Sequence, residues 1–563
     1  MRTNLKILAA VLSGALALSA LAYGDRDDDR DRKKVKRPHA LVLTNGRIHT
    51  MDAQNRVVEE VLIENGRVVE AGRRVDRSGR VKVIDLRGRT VIPGIIDAHN
   101  HIVLVGNRPG WHTGMEHVFT IPEAIAEYVL RAAEVPVGEF ITTIGPISAI
   151  QFAENRLPTG AELDAIPRPV YLQAAQGGSR ANAAAAAWFA INAPTVVVNP
   201  TTGAVSGPAL QALRQQLLTP ETRKRSAFDA LQYFTTLGIT THGDSGAFHS
   251  ELPSNGIASE NVYTMHFQFI ALQRERALPA RLRIDFLHQD PAADVNLTTL
   301  APRLRNSFQF FGDDWLRTAG IGEFTGGGLN GLLAIGRAGW RGEDHSLNLN
   351  NFLGLVALRQ QAHDQLLLEG FADGISKLRW RISHVPGTTE ASVNQWKALG
   401  GGLLVGWGPT RNGTNIGPAY RTLYDNGIPL GWHSDGGDIT LISPWLNLYA
   451  TLTGKNLRGM HDPAAPLVNE GQTLTRQEAL RMATAANKWF TAEDDLGSIE
   501  PGNHADLVVL DRNYFTIPDA EIPRIRSVLT VIGGKIVHDA GVLHTRHDHD
   551  DDDDHHHYHH GRR

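Results

Sequence analysis

Two histidines separated by one residue follow an apolar run near the start of the chain. The segment VIPGIIDAHNHIV, residues 91–103, contains His99 and His101. Side chains at positions i and i+2 of a strand point to the same side, so both imidazoles can bind one metal ion. Asp97 is a nearby carboxylate that we expect to orient one of these imidazoles. The segment predicts a divalent-metal site, although two histidines at a strand end are often only solvated loop residues.

Four further ionisable side chains occupy the ends of predicted strands. They are Glu323, His345, His384 and Asp435, on strands 4, 5, 6 and 8. A single histidine at a strand end is more often a structural hydrogen bonder. The order HxH, Glu, His, His, Asp on strands 1, 4, 5, 6 and 8 is much harder to obtain by chance.

Strands that alternate with helices between residues 93 and 496 must position these side chains. Strand 1 ends at His101, and a helix leads into strand 2 within 228–244. Strands 3 to 8 are predicted at 281–287, 320–324, 340–345, 378–385, 402–407 and 429–435. This alternation predicts an α/β fold, a parallel TIM (β/α)8 barrel, with the candidate ligands at the carboxyl ends of its strands.

Strand-rich segments flank the predicted barrel on both sides. Residues 39–92 and 497–545 alternate apolar and polar positions, and Asn45-Gly46 and Asn65-Gly66 predict hairpin turns. We therefore expect one small β-sandwich domain built from both ends of the chain. A long segment after strand 1, residues 107–225, is an insertion that we expect to cap the catalytic face.

Composition narrows the possible classes of protein. The 563 residues include no cysteine, so a metal must be held by His, Asp, Glu or a modified Lys. The formal net charge of −4 gives no reason to expect nucleic acid as a partner. The expected partner is a small-molecule substrate, and a homo-oligomer is possible.

The two ends of the chain have the composition of targeting and disordered segments. Residues 1–24 combine a basic start, an apolar core and Ala20-Leu21-Ala22, which is typical of a cleaved signal peptide. The charged run 25–38 predicts a disordered linker. The Asp/His-rich residues 546–563 predict a disordered tail that binds divalent metals loosely. We expect an exported protein, periplasmic or secreted, with no membrane span in the mature chain.

The pattern PGIIDAHNH at residues 93–101 resembles the strand 1 signature of the amidohydrolase superfamily. The return strand GSIEPGNHADLVVLD and the strand 6 segment ISHV resemble the same superfamily, which covers about residues 40–540. The segments FDALQYFTTLGITTHGDSG, LPTGAELDAIPRPVYLQAAQGG and GWRGEDHSL are most similar to its N-substituted formamide deformylase branch.

This resemblance implies one or two divalent metal ions, Zn²⁺ above all, held by His99, His101, Glu323, His345, His384 and Asp435. It implies a metal-dependent hydrolase of a non-peptide C–N bond, an amide or N-acyl compound, attacked by metal-activated hydroxide. Asp435 is the expected general acid/base. Many members of the branch carry a carbamylated lysine on strand 4, where this chain has Glu323, so the number of ions stays open.

Two other functions are compatible with the sequence. One is a heterocycle deaminase on the same barrel, which would release ammonia. The other is a catalytically inactive metal-binding or storage protein whose active part is the tail. Weaker candidates for orienting the ligands are His242, Asp244, Glu343, Asp344 and His433, and candidates for lining an apolar substrate pocket are Trp111, Trp407 and Trp432.

Overall fold

The computed structural model describes residues 40–175, 178–247, 266–406, 410, 417–437 and 440–543. The predicted signal peptide, the charged linker and the tail 546–563 lie outside these residues. Among the described helices, none has the length and apolarity that a membrane crossing requires.

Strands from the two ends of the described chain share one sheet. The first seven strands are β1 (Ala40–Thr44), β2 (Arg47–His49), β3 (Val57–Val58), β4 (Glu60–Glu64), β5 (Arg67–Gly72), β6 (Val81–Asp85) and β7 (Thr90–Pro93). The last three are β22 (Leu507–Leu510), β23 (Ser527–Ile532) and β24 (Lys535–Asp539). They form sheets of order β5-β4-β1-β6 and β24-β23-β22-β7-β2-β3. Leu43 of the first sheet and Leu507 of the second belong to one buried apolar cluster.

The two predicted hairpin turns have different outcomes. Asn65-Gly66 joins β4 to β5 with both residues at positive φ, 50° and 80°, as a tight hairpin requires. The prediction for Asn45-Gly46 is wrong, because β1 and β2 lie in different sheets. The chain crosses there from one sheet to the other, and a Cβ on Gly46 would lie 2.5 Å from the side chain of Leu86.

The inserted segment after strand 1 forms two small sheets of its own. Its strands are β9 (Trp111–Thr113), β10 (Ile141–Thr143), β11 (Val170–Leu172), β12 (Arg180–Ala181), β13 (Val197–Val198) and β14 (Val205–Ser206). Its helices are α1 (Ile121–Glu134), α2 (Gly160–Leu163), α3 (Ala183–Asn192) and α4 (Ala209–Leu217). Strands β12-β11-β10-β9 pair in that order, and β13 pairs with β14.

Eight parallel strands follow one another in chain order in two further sheets. One contains β8 (Ile95–Asn100), β15 (Ile239–Asp244), β16 (Arg281–Phe286) and β17 (Leu316–Ile321). The other contains β18 (Glu343–Ser346), β19 (Arg381–His384), β20 (Gly402–Val405) and β21 (Leu430–Trp432). The protein is therefore an α/β structure with several sheets.

Backbone hydrogen bonds connect the two parallel sheets at both of their edges. The amide of Ile321 donates to the carbonyl of Arg341 at 2.9 Å, beside a parallel bridge between Ile321 and Gly342. The amide of Asp435 donates to the carbonyl of His99 at 3.1 Å. The ends of β17 and β18, and of β21 and β8, are thereby held next to each other.

A helix precedes each parallel strand after β8. These helices are α5 (Pro220–Thr235), α6 (Phe267–Arg274), α7 (Leu300–Asn306), α8 (Gly328–Arg337), α9 (Leu349–Leu368), α10 (Glu390–Ala398) and α11 (Tyr420–Asn426). Helices α12 (Pro444–Thr453), α13 (Arg476–Ala483) and α14 (Lys488–Thr491) follow β21. Short 3₁₀ helices lie at Ile102–Asn107, Ala149–Gln151, Leu457–Met460 and Asp519–Arg524. The sequence explains why helix α5 begins where it does, since Thr219 caps the helix and Pro220 occupies its first turn.

Strand 4 is the predicted strand that is most displaced. It begins at Leu316 and ends at Ile321, whereas residues 320–324 were expected. Its first half contains Arg317 and Thr318, and polar residues such as these do not indicate a buried strand. The hydroxyl of Thr318 donates to the carbonyl of Phe308 at 2.5 Å, which accounts for a polar residue at that position.

Candidate metal centre

The six predicted site residues come together at the carboxyl ends of the parallel strands. His99 lies in β8 and His101 just after it, Glu323 follows β17, His345 lies in β18, His384 ends β19, and Asp435 follows β21. All are buried except His345, whose side chain is 28% exposed. The carboxyl end of such strands is where parallel α/β enzymes place their catalytic groups.

The carboxylate of Asp435 faces three imidazoles. Its Oδ1 atom lies 3.2 Å from Nε2 of His101 and 3.4 Å from Nε2 of His99. Its Oδ2 atom lies 3.9 Å from Nε2 of His384. Residues far apart in sequence thus direct potential ligand atoms at one small volume.

The two oxygens of Glu323 face different histidines. Oε2 lies 3.3 Å from Nε2 of His101 and 4.0 Å from Nε2 of His99. Oε1 is hydrogen-bonded to Nδ1 of His345 and lies 3.9 Å from Nε2 of His384. The carboxylate therefore stands between the two histidines of strand 1 and the histidines of strands 5 and 6.

Two of the six residues have a backbone conformation that side chains disfavour. The φ angles of His384 and Asp435 are 69° and 55°, and that of Val385 is 43°. Such left-handed conformations cost about 1–3 kcal/mol each for residues other than glycine. The surrounding structure must supply this free energy, which is a pattern concentrated at functional sites.

Glu343 orients the imidazole of His99. Its Oε1 atom lies 2.5 Å from Nδ1 of His99 and accepts a hydrogen bond from Oγ of Ser383 at 2.9 Å. Its Oε2 atom accepts from Nε of Arg381 at 2.5 Å, and Arg381 also binds the carboxylate of Asp285. The expectation that Glu343 supports a ligand is confirmed, and the bond leaves Nε2 of His99 to face the cluster.

Asp97 does not orient His99, so that expectation is wrong. Its carboxylate instead accepts the amide of Ser434 at 2.9 Å and the hydroxyl of Ser434 at 2.6 Å. Complete burial raises the pKa of Asp97 to about 6, and the hydrogen bonds from Ser434 oppose this only in part. Asp97 joins β8 to the residue before Asp435, and so positions the acid rather than the histidine.

His101 is held from behind by the loop after β15. Its Nδ1 atom lies 2.6 Å from the carbonyl oxygen of Gly246. The carboxylate of Asp244 accepts the amides of Gly246 and Val103 at 3.4 and 3.2 Å and binds Nε2 of His266 at 2.9 Å. Asp244 thus supports His101 through the backbone, by fixing the carbonyl that receives its ring.

The charges in the cluster depend on one another. Burial raises the pKa of Glu323, but hydrogen bonds with His345 and His384 outweigh it and hold that pKa well below its usual value. Burial also raises the pKa of Asp435, and the charge of His384 and hydrogen bonds with His101 hold it low. Burial lowers the pKa of His101, yet Asp435 and Glu323 raise it to about 10. Both carboxylates stay ionised and require positive charge beside them.

These residues fit a divalent metal ion. Two groups bring ligand atoms within 4.8 Å of one another, namely His99, Glu323 and His384, and His99, His101 and Asp435. Nε2 of His99 is fully buried and has no hydrogen-bond partner among the described residues. A buried polar atom without a partner requires an explanation, and imidazole and carboxylate ligands are those of zinc and similar ions.

His433 contributes an uncharged ring to the same cluster. Its ring centre lies 4.9 Å from the centres of both His99 and His384. It is fully buried, and this burial lowers its pKa well below the usual value. His433 therefore packs as a neutral imidazole against two candidate ligands.

Two of the weaker candidates support neighbouring segments. Nδ1 of His242 lies 3.1 Å from Nδ2 of Asn100, within the buried strand pair of β8 and β15. The carboxylate of Asp344 accepts the amide of Thr325 at 3.1 Å and Nη2 of Arg359 at 2.5 Å. Asp344 thereby ties the loop after Glu323 to helix α9.

The tryptophans suggested for a substrate pocket have other described contacts. Trp432 is fully buried. The ring centre of Trp111 lies 3.7 Å from Cζ of Arg225. Trp407 lies outside the described residues. The described contacts therefore assign neither Trp111 nor Trp432 to a substrate pocket.

Sequence reasoning missed the buried polar residues that support Glu343. Arg381 and Ser383 alternate along LRWRISHV, and Asp285 lies within the strand RLRIDF. A charge inside an otherwise apolar strand must find a partner when it is buried. That alternation was an available signal for a polar network behind the ligands.

The sequence profile of the amidohydrolase family, Amidohydro_3, matches residues 82–341 and 353–538. This match covers well over half of the chain and includes five of the six candidate ligands, all but His345, which lies between the two matched ranges. The predicted enzyme class, a metal-dependent hydrolase acting on carbon–nitrogen bonds, is confirmed at the level of this family.

Individual proteins are similar over nearly the whole chain. An N-substituted formamide deformylase from Arthrobacter pascens is 23% identical over 549 residues, 89% of this chain and 98% of the deformylase. An uncharacterized metal-dependent hydrolase from Pyrococcus furiosus has 20% identity and a TM-score of 0.52, over 85% of this chain and 100% of that one. A triazine hydrolase from Arthrobacter aurescens has 16% identity and a TM-score of 0.50, over 91% of this chain and 97% of that one.

The first of these relatives confirms the resemblance to the formamide deformylase branch. The two solved structures share the fold. Together with the profile match, these findings establish that the chain belongs to the amidohydrolase family.

Proposed function

We propose that this enzyme hydrolyses an amide or N-acyl compound at a centre of one or two divalent metal ions, with zinc as the first candidate. The observation that carries the proposal is the convergence of four imidazoles and two carboxylates from the ends of five strands. Family membership supplies the class of bond, and similarity to a formamide deformylase supports an acyl group as the part attacked.

We propose that the eight parallel strands form one closed (β/α)8 barrel over residues 93–496. Its support is the chain-order pairing in both sheets and the hydrogen bonds Ile321–Arg341 and Asp435–His99 across their edges. The sheets β5-β4-β1-β6 and β24-β23-β22-β7-β2-β3 support the further proposal of a β-sandwich at 39–92 and 497–545. The inserted segment 107–225 is proposed as a cap, because Arg108 donates to the carbonyl of Gly437, two residues after Asp435.

The metal would be held by His99, His101, Glu323, His345, His384 and Asp435. When bound, a divalent ion acts as a Lewis acid that lowers the pKa of a water molecule and polarises the scissile carbonyl. The remaining chemistry depends on the residues of the chain. Glu343 fixes His99, and the carbonyl of Gly246 fixes His101, so that both Nε2 atoms face the centre.

Asp435 is the proposed proton carrier. The cluster holds its pKa low, so its carboxylate begins the reaction ionised and able to accept the proton of the attacking water. The same oxygen then delivers this proton to the departing nitrogen. Its backbone amide is tied to His99, and Asp97 binds the preceding Ser434, so the carboxylate is held in place between these steps.

Glu323 favours a two-ion centre. Its oxygens face His99 and His101 on one side and His345 and His384 on the other. A carboxylate that spans two groups of ligands supplies the same pair of oxygens as a carbamylated lysine, without CO₂ chemistry. Metal stoichiometry close to two ions per chain would support this arrangement, and a value of one would reject it.

A substrate panel tests the proposed reaction. The metal-loaded enzyme is incubated with N-substituted amides and with amino-substituted heterocycles, and released carboxylate and ammonia are measured separately. The proposal expects carboxylate from amides, abolished in Asp435→Asn. Ammonia released from the heterocycles without any carboxylate product would instead establish a deaminase.

We also propose that the protein is exported. The support is the order of basic start, apolar core and small-x-small motif in residues 1–24. Sequencing the amino terminus of the protein purified from its own cells tests this proposal.

A further inference from the structure

A cavity of about 470 Å³ lies at the opposite end of the parallel strands from the candidate metal centre. It opens between helix α5, the turn after helix α6, the segment before β17 and strand β24. Leu278 and Pro279 line it just before β16 begins, and Asp313 and Trp315 line it just before β17 begins. None of the six candidate ligands is among its lining residues.

Two cations line this cavity without an ion pair among the described residues. They are Arg276, in the turn after α6, and Lys535, at the start of β24. Neighbouring arginine and lysine side chains are neutralised, since Arg281 binds Asp506 at 2.7 Å and Lys224 binds Glu275 at 2.7 Å. The charge at Arg276 and Lys535 is therefore available to a ligand.

Among the described residues, Asp313 is the one carboxylate that lines the cavity, and both of its oxygens accept hydrogen bonds. Oδ1 of Asp313 accepts the amides of Trp315 and Leu316 at 2.8 and 2.9 Å. Its Oδ2 atom accepts a hydrogen bond from the side-chain amide of Gln273. These neutral donors shape the turn around Asp313 and do not cancel its charge, so two cations against one carboxylate leave the described lining with an excess of one positive charge.

Aromatic and apolar surface accompanies the two cations. Trp315 lies beneath Lys535, and Nζ of Lys535 is 5.0 Å from the centre of the Trp315 ring. Phe228 lines the cavity from α5 and has 36% of its surface exposed. Leu278 and Val537 add aliphatic surface. A volume of this size is within the range of sites for small organic molecules.

We propose that this cavity is a second, non-catalytic binding site for a small organic anion with an aromatic or apolar body. The anionic group pairs with Arg276 and Lys535, and the body packs against Trp315 and Phe228. This second site is separate from the site of the proposed reaction, because the cavity lies at the amino ends of the parallel strands.

Benzoate and acetophenone, an uncharged analogue of similar shape without a C–N bond, are suitable probes. Binding of each to the full-length, metal-loaded protein is measured by calorimetry and ligand-detected NMR. The test variant is Arg276→Gln with Lys535→Gln. A charge-matched control is Arg274→Gln with Lys82→Gln, two exposed cations that do not line the cavity. Benzoate can also bind a metal centre. A loss of benzoate affinity that occurs in the test variant and not in the control therefore identifies binding in the cavity.

The proposal expects saturable binding of benzoate at millimolar concentration, with acetophenone about tenfold weaker. It expects about a tenfold loss of benzoate affinity in the test variant and no change in the control. Trp315→Ala should weaken both probes, since it removes the apolar platform. Absence of saturable binding to the wild-type protein, equal binding of the two probes, or unchanged benzoate binding in the test variant would each overturn it.

Discussion

Nδ1 of His99 lies 2.5 Å from Oε1 of Glu343, a residue 244 positions further along the chain. Arg381 and Ser383 hold the same carboxylate, and Asp285 holds Arg381. A buried network of this kind fixes the orientation of a ligand and increases its basicity. The candidate centre is thus supported by strand 3, which carries no candidate ligand, as well as by the strands that carry the ligands.

Replacing Glu343 by Gln should weaken metal binding by about 10–100-fold, because His99 loses the carboxylate that orients it. Metal affinity is measured by competition with a chromophoric chelator. Glu390→Gln is a matched control, since Glu390 is exposed at the start of α10. Unchanged affinity in Glu343→Gln would contradict the role assigned to this bond.

Asp435→Asn should reduce kcat by about 10²–10⁴-fold, because the amide cannot transfer the proton. Metal content should fall less than in a variant that loses two histidines, since the asparagine oxygen keeps one ligand atom. Steady-state kinetics on an amide substrate, with metal analysis of the same sample, separates the two effects. A variant with full metal content and wild-type kcat would remove Asp435 from the mechanism.

Glu116 gives the fold a predictable dependence on pH. Complete burial raises its pKa from 4.5 to about 7, against the smaller opposing effects of Tyr233 and Arg526. The folded state therefore binds this proton more tightly than the unfolded state. The contribution of this bound proton to the free energy of unfolding is fully present below about pH 4.5 and is lost as the pH rises to about 7.

Chemical denaturation of wild-type protein and Glu116→Gln at several pH values measures this contribution. Between about pH 4.5 and 7, the free energy of unfolding of the wild type should fall by about 3 kcal/mol relative to the variant. The difference between the two proteins cancels the titration of other groups. Parallel stability curves across this range would show that Glu116 is ionised in the folded protein.

Export predicts a processed amino terminus. Mass spectrometry of the protein from the periplasm or medium should give a mature chain that begins just after the Ala20-Leu21-Ala22 motif. Replacing Ala22 by a bulky residue should block processing. A cytoplasmic protein that retains Met1 would contradict the proposal.

The sequence singled out six side chains that the structure brings together, because the signal for each of them is local. His99 and His101 are adjacent on one strand face, and His384 and Asp435 end short apolar segments. The strands carrying them follow a regular alternation with helices, so most were placed to within a few residues. The cluster itself follows from the geometry of parallel strands, whose carboxyl ends meet at one edge.

Partners far apart in sequence were harder to predict. Nothing local shows that Asp97 binds Ser434 rather than His99, because both partners are polar residues within reach of a carboxylate. Asn45-Gly46 has the composition of a hairpin turn, yet the strands on either side enter different sheets. In both cases tertiary packing decided the partner, and the local sequence did not indicate it.

Metal content of protein lacking residues 546–563 tests the central claim most directly. The truncation removes the Asp/His-rich tail, so bound metal reports on the strand-end cluster alone. We predict one to two equivalents per chain, lost when His99→Ala and His101→Ala are introduced together. A truncated protein that is metal-free after purification from metal-supplemented medium, or a double variant that keeps its metal, would contradict the assignment.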